Sequence, residues 1–215
     1  MAEIMAVRHP ARFSDSILDA VRGYLPSGAR VLDPFAGTGR IHELGTHGSH
    51  TVGVEIEPEW ANLHPATIVG NALALPFADA SFDAVVTSPC YGNRFADHHN
   101  AKDGSRRRSY RHDLGRPLHP ANSGQLQWGP AYRAFHERAW AEVRRVLKPD
   151  GMFVLNVSNH IRGGVKQPVV QWHCVRAHAI GFQLSRPFAG GERACSRSGL
   201  PSITSVGSSA LTSGI

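Results

Sequence analysis

A short segment near the start of the chain combines an acid, an aromatic residue and glycines in a pattern that suits ligand binding. The apolar residues before Asp33 predict a buried parallel strand, and DPFAGTG (residues 33–39) predicts a turn from that strand into a helix. Glycine at such a turn lets a ligand lie against the backbone, and the amides at the helix start can meet a carboxylate or a phosphate. The segment therefore predicts a cofactor site.

The spacing of these glycines disfavours two common nucleotide sites. A dinucleotide fingerprint has a third glycine three residues after Gly39, where this chain has His42. A phosphate-binding P-loop continues as Gly-Lys-Ser/Thr, whereas Gly39 is followed by Arg40 and Ile41. NAD and ATP are therefore disfavoured as ligands.

Residues 33–39 resemble motif I of the class I S-adenosylmethionine (SAM) methyltransferases, in the wording of those that methylate exocyclic amino groups of nucleobases. The resemblance implies an α/β fold with a Rossmann-like, doubly wound and mostly parallel sheet, and SAM as the cofactor. It also implies four cofactor contacts in this turn, namely Asp33, Phe35, Gly37 and Gly39.

The ends of the next two predicted strands supply the other expected cofactor contacts. The resemblance implies that Glu55 accepts hydrogen bonds from both ribose hydroxyls, for which a carboxylate has two oxygens, and that Ile56 packs on the adenine face. Gly70-Asn71-Ala72 stands where the family commonly has Gly-Asp-Ala. The carbonyl oxygen of Asn71 would then replace the acid as acceptor for the adenine amino group.

The fourth predicted strand ends in TSPCYGNR (residues 87–94), which resembles motif IV of the amino-methyltransferases: Asp, Asn or Ser, two prolines and an aromatic residue. A base amino group is a poor nucleophile because its lone pair is delocalised into the ring. The resemblance implies that the Ser88 hydroxyl and the Pro89 carbonyl draw this nitrogen toward tetrahedral geometry, while Tyr91 stacks on a base swung out of its helix. Neither a general base nor a metal ion is required.

Cys90 stands where the motif has its second proline, and it opens a rival chemistry. Pro-Cys at the end of this strand is also how cytosine C5 methyltransferases present a thiolate that adds to C6 of the base. The chain lacks the downstream Glu-Asn-Val and Gln-x-Arg-x-Arg elements, so amino methylation is favoured and Cys90 is the alternative nucleophile. An inert buried cysteine is the third interpretation.

A polar insertion at residues 93–128 follows this motif and is too long for an ordinary connection. Residues 94–116 hold seven basic residues against three acids, a net charge of +4. This predicts a basic rim for phosphate contacts, with Tyr110 and Trp128 able to stack on bases; a flexible solvated loop is the alternative. The histidines of the insertion match no metal-site spacing. The expected nucleic-acid contacts are Arg94, Arg106, Arg107, Arg108 and Arg111.

Apolar periodicity and turn residues predict alternating strands and helices over most of the chain. Strands are predicted at 31–32, 51–56, 66–69, 84–87, 152–157 and 182–184. Helices are predicted at 12–25, 41–44, 58–63 and 169–179, with another from 130 that is stopped by 147–151. One methyltransferase domain is expected over 1–188 and a divergent or disordered tail at 189–215, where only 200–206 suggests a weak strand.

Composition agrees with a globular protein whose partner is a polyanion. The 215 residues are 41% hydrophobic and 19% charged, and the net charge is +6. No apolar run reaches membrane-spanning length and no signal peptide is evident, so a cytoplasmic location is expected. Three widely spaced cysteines suggest neither disulfides nor zinc.

These observations predict a SAM-dependent methyltransferase that acts on the exocyclic amino group of adenine or cytosine, in DNA more than in RNA. The alternatives are an RNA or cytosine-C5 methyltransferase, a small-molecule methyltransferase, and a SAM-binding protein without catalysis. The oligomeric state is left open.

Overall fold

The computed structural model describes residues 15–90, 92, 109–184 and 202–206. Their strands, in chain order, are β1 (Arg30–Asp33), β2 (His50–Glu55), β3 (Thr67–Val69), β4 (Phe82–Thr87), β5 (Leu147–Asn156), β6 (His160–Arg162), β7 (Val165–Gln167), β8 (Gln183–Leu184) and β9 (Ser202–Val206). Their helices are α1 (Asp15–Arg22), α2 (Pro58–Ala61), α3 (Tyr110–Leu114), α4 (Pro130–Val146) and α5 (Val169–Ala179), with 3-10 helices at Arg40–His47 and Ser123–Gln125.

Seven of these strands form one sheet in the order β3-β2-β1-β4-β5-β9-β8, and every neighbouring pair is parallel. The strand order reverses between β1 and β4, and ligands of doubly wound sheets bind at the carboxyl ends of the strands beside this point. The predicted Rossmann-like α/β fold is therefore confirmed. Strands β6 and β7 form a separate antiparallel hairpin that the sequence did not predict.

Strand β9 lies in the predicted tail, at the position of the weak strand. It runs parallel to both neighbours. Parallel pairing needs a crossover of a dozen or more residues, and 17 residues separate β8 from β9. The rest of the predicted tail lies outside the described residues.

The central strands send alternate side chains into two apolar cores, one on each face of the sheet. Leu32 of β1 and Val85 of β4 pack in the core that contains the buried face of α4. Val31 and Val86, on the same two strands, pack in the core that contains α1 and the 3-10 helix at Arg40–His47. Because helices cover both faces, these strands are apolar throughout rather than alternately polar.

Helix α4 follows the prediction closely. Pro130 occupies its first turn, and one side of the helix is buried, including Tyr132, Trp140 and Val143. The predicted stop after this helix is not a loop, however. Strand β5 starts at Leu147, which pairs with Phe82 of β4 across an irregularity in register.

Residues 109–128 of the insertion are structured rather than a simple loop. They contain α3, which Ser109 caps by accepting the His112 amide, and the 3-10 helix at Ser123–Gln125. The sequence pattern predicted no helix or strand here. Among the described helices, none has the length and apolar character needed to cross a bilayer.

Gly53 in the middle of β2 offers a test of how tightly the sheet packs against the turn at residues 33–39. A Cβ at this position would lie 2.6 Å from Oγ1 of Thr67 and 2.8 Å from Cβ of Ala36. We expect Gly53→Ala to lower the free energy of unfolding by about 1–3 kcal/mol through overpacking. Gly45→Ala is the matched control, because its Cβ would meet only an ordinary contact at 3.7 Å. Urea denaturation of both variants measures the difference, and equal stabilities would contradict the packing argument.

Candidate functional site

A pocket of about 530 Å³ opens at the carboxyl edge of the sheet. The ends of β1 to β4 and the insertion residues 121–123 contribute to its walls. Five of the eight expected cofactor residues line it: Phe35, Glu55, Ile56, Asn71 and Ala72. Of the expected catalytic residues, Ser88 and the alternative nucleophile Cys90 also line it.

The remaining expected site residues fall into two groups, those that the structure describes and those that it does not. Asp33, Gly37, Gly39 and Pro89 are not among the residues that line the pocket. Arg111 lies in α3. The others fall outside the described part of the chain: Tyr91, Arg94, Arg106, Arg107 and Arg108.

Glu55 is a buried carboxylate that lines the pocket and is hydrogen-bonded to the turn at residues 33–39. Its Oε2 accepts the Gly37 amide at 2.8 Å, and its Oε1 accepts the Glu57 amide at 2.9 Å. Burial raises the pKa of Glu55 to about 7, although these backbone hydrogen bonds oppose the shift. Gly37 therefore positions Glu55, and its expected cofactor contact stays a prediction.

Asp33 joins two strand ends beneath the pocket. It is 1% exposed, and its Oδ1 accepts the Thr87 hydroxyl at 2.6 Å and the Phe35 amide at 3.0 Å. Burial raises the pKa of Asp33 to about 7. Since Thr87 immediately precedes Ser88, Asp33 links the cofactor turn to the predicted catalytic residues.

Gly39 is required by local packing. Its φ is +80°, and a Cβ there would lie 2.9 Å from Cδ2 of His42. The His42 ring bonds to the hydroxyls of Thr51 and Thr67 at 2.9 and 2.7 Å and stacks on His64 with ring centroids 3.7 Å apart. Burial lowers the pKa of His42 to about 4, so the ring is neutral. His42, which stands where a dinucleotide motif has its third glycine, thus bridges β2 and β3 through Thr51 and Thr67.

Asn71 lines the pocket, but part of its hydrogen-bonding capacity is used locally. Its Oδ1 accepts the Leu73 amide at 2.9 Å, which closes a turn after β3. A carbonyl oxygen has two lone pairs, so the expected acceptor role toward an adenine amino group stays compatible with this turn.

The residues after β4 are held by two partners that the sequence did not reveal. The Asn156 amide, at the end of β5, donates to Oγ of Ser88 at 3.0 Å. The Tyr132 hydroxyl, from α4, donates to the carbonyl oxygen of Cys90 at 2.9 Å. Asparagine after a strand and a tyrosine on an apolar helix face carry no distinctive signal, so only the fold shows these contacts.

Tyr132 belongs to a buried hydrogen-bonded chain of three side chains. Trp140 Nε1 donates to His173 Nδ1 at 3.0 Å, so that nitrogen must be the acceptor. The other ring nitrogen, Nε2, then carries the hydrogen and lies 3.0 Å from the Tyr132 hydroxyl oxygen. Burial lowers the pKa of His173 well below its ordinary value, which keeps the ring neutral. This tautomer leaves the tyrosine hydrogen directed at the Cys90 carbonyl.

Cys90 is half-buried against an apolar cluster of Trp60, Tyr110 and Leu118. Its Sγ lies 3.3 Å from the Tyr110 hydroxyl, and burial raises the pKa of the thiol to about 11. Reactive cysteines have lowered pKa values in electropositive surroundings, so this environment disfavours a thiolate. Tyr110, which was expected to stack on bases, is 4% exposed in the same cluster.

Glu57 is a second buried acid at the end of β2, and it fixes the insertion over the pocket. Its side chain is fully buried, and Oε1 accepts the His119 amide and the Asn122 side-chain amide, each at 2.7 Å. Arg116 pairs with Oε2 at 2.8 Å and also with Glu59. Arg116 was counted toward the basic rim, but it is an internal anchor. The second acid of VEIEPEW was the available signal for Glu57.

Comparisons with known proteins agree with this arrangement at the level of the domain. Residues 32–101 match the family model described as "Methyltransferase domain". No curated protein matches the chain.

Three solved structures are similar in part. They are a TehB-like SAM-dependent methyltransferase from Corynebacterium glutamicum (20% identity, 77% of this chain and 72% of that one, TM-score 0.47), the YcgJ protein from Bacillus subtilis (22%, 66% and 50%, 0.43), and a possible histamine N-methyltransferase from Thermotoga maritima (22%, 62% and 46%, 0.36). The chain thus spans about half the length of the last two. At TM-scores below 0.5, these similarities do not bear on the substrate.

The match at 32–101 covers the glycine turn, Glu55, Asn71 and the residues after β4, which the sheet brings together at one edge. This part of the chain matches a methyltransferase domain, which supports SAM-dependent methyl transfer as its chemistry.

Proposed function

We propose that the protein transfers a methyl group from SAM to the exocyclic amino group of a nucleobase, adenine or cytosine, in DNA. The observation that carries the proposal is the position of Ser88. It lies at the end of β4 in the Ser-Pro-Cys-Tyr segment and lines the same pocket as Glu55 and Asn71. A hydroxyl acceptor beside a nucleoside site suits an enzyme that must orient an amine toward a methyl donor.

SAM, when bound, supplies the methyl group on a sulfonium and leaves as S-adenosylhomocysteine. The residues of the chain orient the acceptor. The Ser88 hydroxyl oxygen and the Pro89 carbonyl oxygen accept hydrogen bonds from the amino group, which localises the lone pair on the nitrogen for attack. The nitrogen gains the methyl as the carbon–sulfur bond breaks, and it then releases a proton. Asn156 holds Ser88 at 3.0 Å, so the acceptor is placed before the base arrives.

The surroundings of Cys90 support this reaction over C5 methylation of cytosine. A C5 mechanism needs the sulfur as a thiolate that bonds to carbon C6 of the base. Cys90 instead packs against Trp60 and Leu118, and burial raises its pKa to about 11. At neutral pH the sulfur is a thiol within an apolar wall.

SAM binding should depend on pH through Glu55. The ionised carboxylate is the stronger acceptor for two ribose hydroxyls, and its pKa is about 7. Affinity for SAM should therefore rise from pH 6 to pH 8, and Glu55→Gln should lower affinity at pH 8 roughly tenfold and weaken the pH dependence. Calorimetry measures both. Glu59→Gln is the control, because Glu59 pairs with Arg116 at the surface. Equal affinities of wild type and Glu55→Gln would contradict the assigned role.

Methyl transfer separates the two base chemistries. Tritiated-methyl transfer to DNA should fall roughly 100-fold or more in Ser88→Ala and Tyr91→Ala, because each loses an orienting contact. Cys90→Ala should lose little, and Cys174→Ala is its matched control. Abolition of transfer by the Cys90 change alone would establish C5 chemistry instead. Transfer to RNA but not to DNA would favour an RNA methyltransferase. Transfer to neither polymer would favour a small-molecule methyltransferase or a SAM-binding protein without catalysis.

Tyr132→Phe tests the hydrogen-bonded chain behind the catalytic segment. Loss of the hydroxyl frees the Cys90 carbonyl and leaves a buried acceptor without its donor, at a cost of about 1–3 kcal/mol of stability. We expect kcat to fall while the Kd for SAM stays unchanged, since Tyr132 contacts the segment after β4. Tyr24→Phe, at an exposed tyrosine, is the control. A weaker Kd with unchanged kcat would show that Tyr132 acts on the cofactor site.

A further inference from the structure

The hairpin of β6 and β7 is an unexpected feature at the functional edge of the sheet. It begins four residues after β5 ends, and its turn is formed by Gly163 and Gly164, both with positive φ. Ile161 is 74% exposed and Val165 is 62% exposed, so the hairpin presents two apolar side chains to solvent. The hairpin pairs with none of the other described strands.

Hydrogen bonds place this hairpin beside the catalytic segment. Arg162 Nη1 donates to the carbonyl oxygen of Trp128 at 3.4 Å, and the Trp128 amide donates to the Gly92 carbonyl at 2.9 Å. Gly92 directly follows Tyr91. The guanidinium of Arg133 lies over the Trp128 ring, 5.4 Å from its centroid. The hairpin and the start of α4 therefore meet near Gly92, which follows the Ser88–Tyr91 segment in the chain.

The charge of this region is one-sided. The chain has no acid between Asp150 and Glu192, and none from 117 to 136. Arg162 and Lys166 are exposed on the hairpin, and the register places Lys166 opposite Ile161 and Arg162 opposite Val165. Each pair thus joins a cation to an apolar side chain, and the two pairs lie on opposite faces of the hairpin because successive strand residues point to opposite sides. Cations with neighbouring apolar side chains suit contact with phosphates and with the faces or edges of bases.

We propose that the β6–β7 hairpin binds the phosphodiester backbone of the polynucleotide next to the target base. The inference rests on the proposed function and extends it, because it locates the docking surface on residues outside the arginine-rich insertion. Arg162 and Lys166 reach phosphates from the two faces of the hairpin, while Val165 and Ile161 beside them pack against sugar or base. Arg133 lies next to this hairpin, with its guanidinium over the Trp128 ring.

Salt-dependent binding provides the test. Fluorescence anisotropy of a labelled 30-base-pair DNA duplex, with S-adenosylhomocysteine in excess, gives Kd at several salt concentrations for wild type and for Arg162→Ala/Lys166→Ala. Each lost phosphate contact lowers the slope of log Kd against log salt by roughly 0.9, so a decrease of roughly 1–2 is expected, with a weaker Kd at low salt. The single variant Lys166→Glu guards against misfolding of the double variant. Lys148→Ala, near the amino end of β5, is the control for the loss of a surface lysine and should keep the wild-type slope.

The outcomes separate this inference from the function on which it rests. Unchanged slopes in both hairpin variants, with DNA methylation intact in the wild type, would overturn the docking surface and leave the function standing. A wild type that binds neither DNA nor an RNA of the same sequence would overturn both. If the hairpin variants lowered the salt dependence of Kd for RNA but not for DNA, the hairpin would still be the backbone-binding site, and RNA would be the substrate.

Discussion

Three buried carboxylates organise the carboxyl edge of this sheet. An ionised carboxyl taken out of water is costly unless donors surround it, so each acid gathers donors from a different part of the chain. Asp33 binds the Thr87 hydroxyl and so joins β1 to β4. Glu55 binds the amide of Gly37 in the glycine turn, and Glu57 binds the segment from Arg116 to Asn122. The pocket exists because these three sets of contacts meet around it.

This arrangement has a thermodynamic consequence. The pKa values of Asp33 and Glu55 are raised to about 7 from their ordinary 3.8 and 4.5, so the folded protein keeps protons that the unfolded chain would release. Through these two groups, the stability of the free protein falls as the pH rises from about 4 to about 7. Hydroxyl donors of a bound nucleoside would offset that loss at Glu55. Before binding, burial disfavours the ionised carboxylate of Glu55. The site is therefore matched to a ligand rich in hydrogen-bond donors.

The segment after β4 is positioned in a different way, by neutral groups. Asn156 holds Ser88, and the chain from Trp140 through His173 to Tyr132 holds the Cys90 carbonyl. Burial keeps His173 neutral, so this support does not change with protonation near pH 7. The pocket wall around Glu55 is therefore sensitive to pH, whereas the hydrogen-bonded support behind Cys90 is not.

Local sequence determined much of this protein. The apolar strands, the helix from Pro130 and the acids and glycines at strand ends carry their signals in residue type and spacing, and they were enough to predict the fold, SAM and five pocket residues. The tertiary structure alone decided which of those residues line the pocket and which bond to the residues that do. Asp33 accepts the Phe35 amide, and Gly37 donates its amide to Glu55. It also decided the hairpin and the anchors at Glu57, Tyr132 and Asn156. Such contacts join residues 40 to 70 positions apart, and no local period or motif encodes a pairing over that distance.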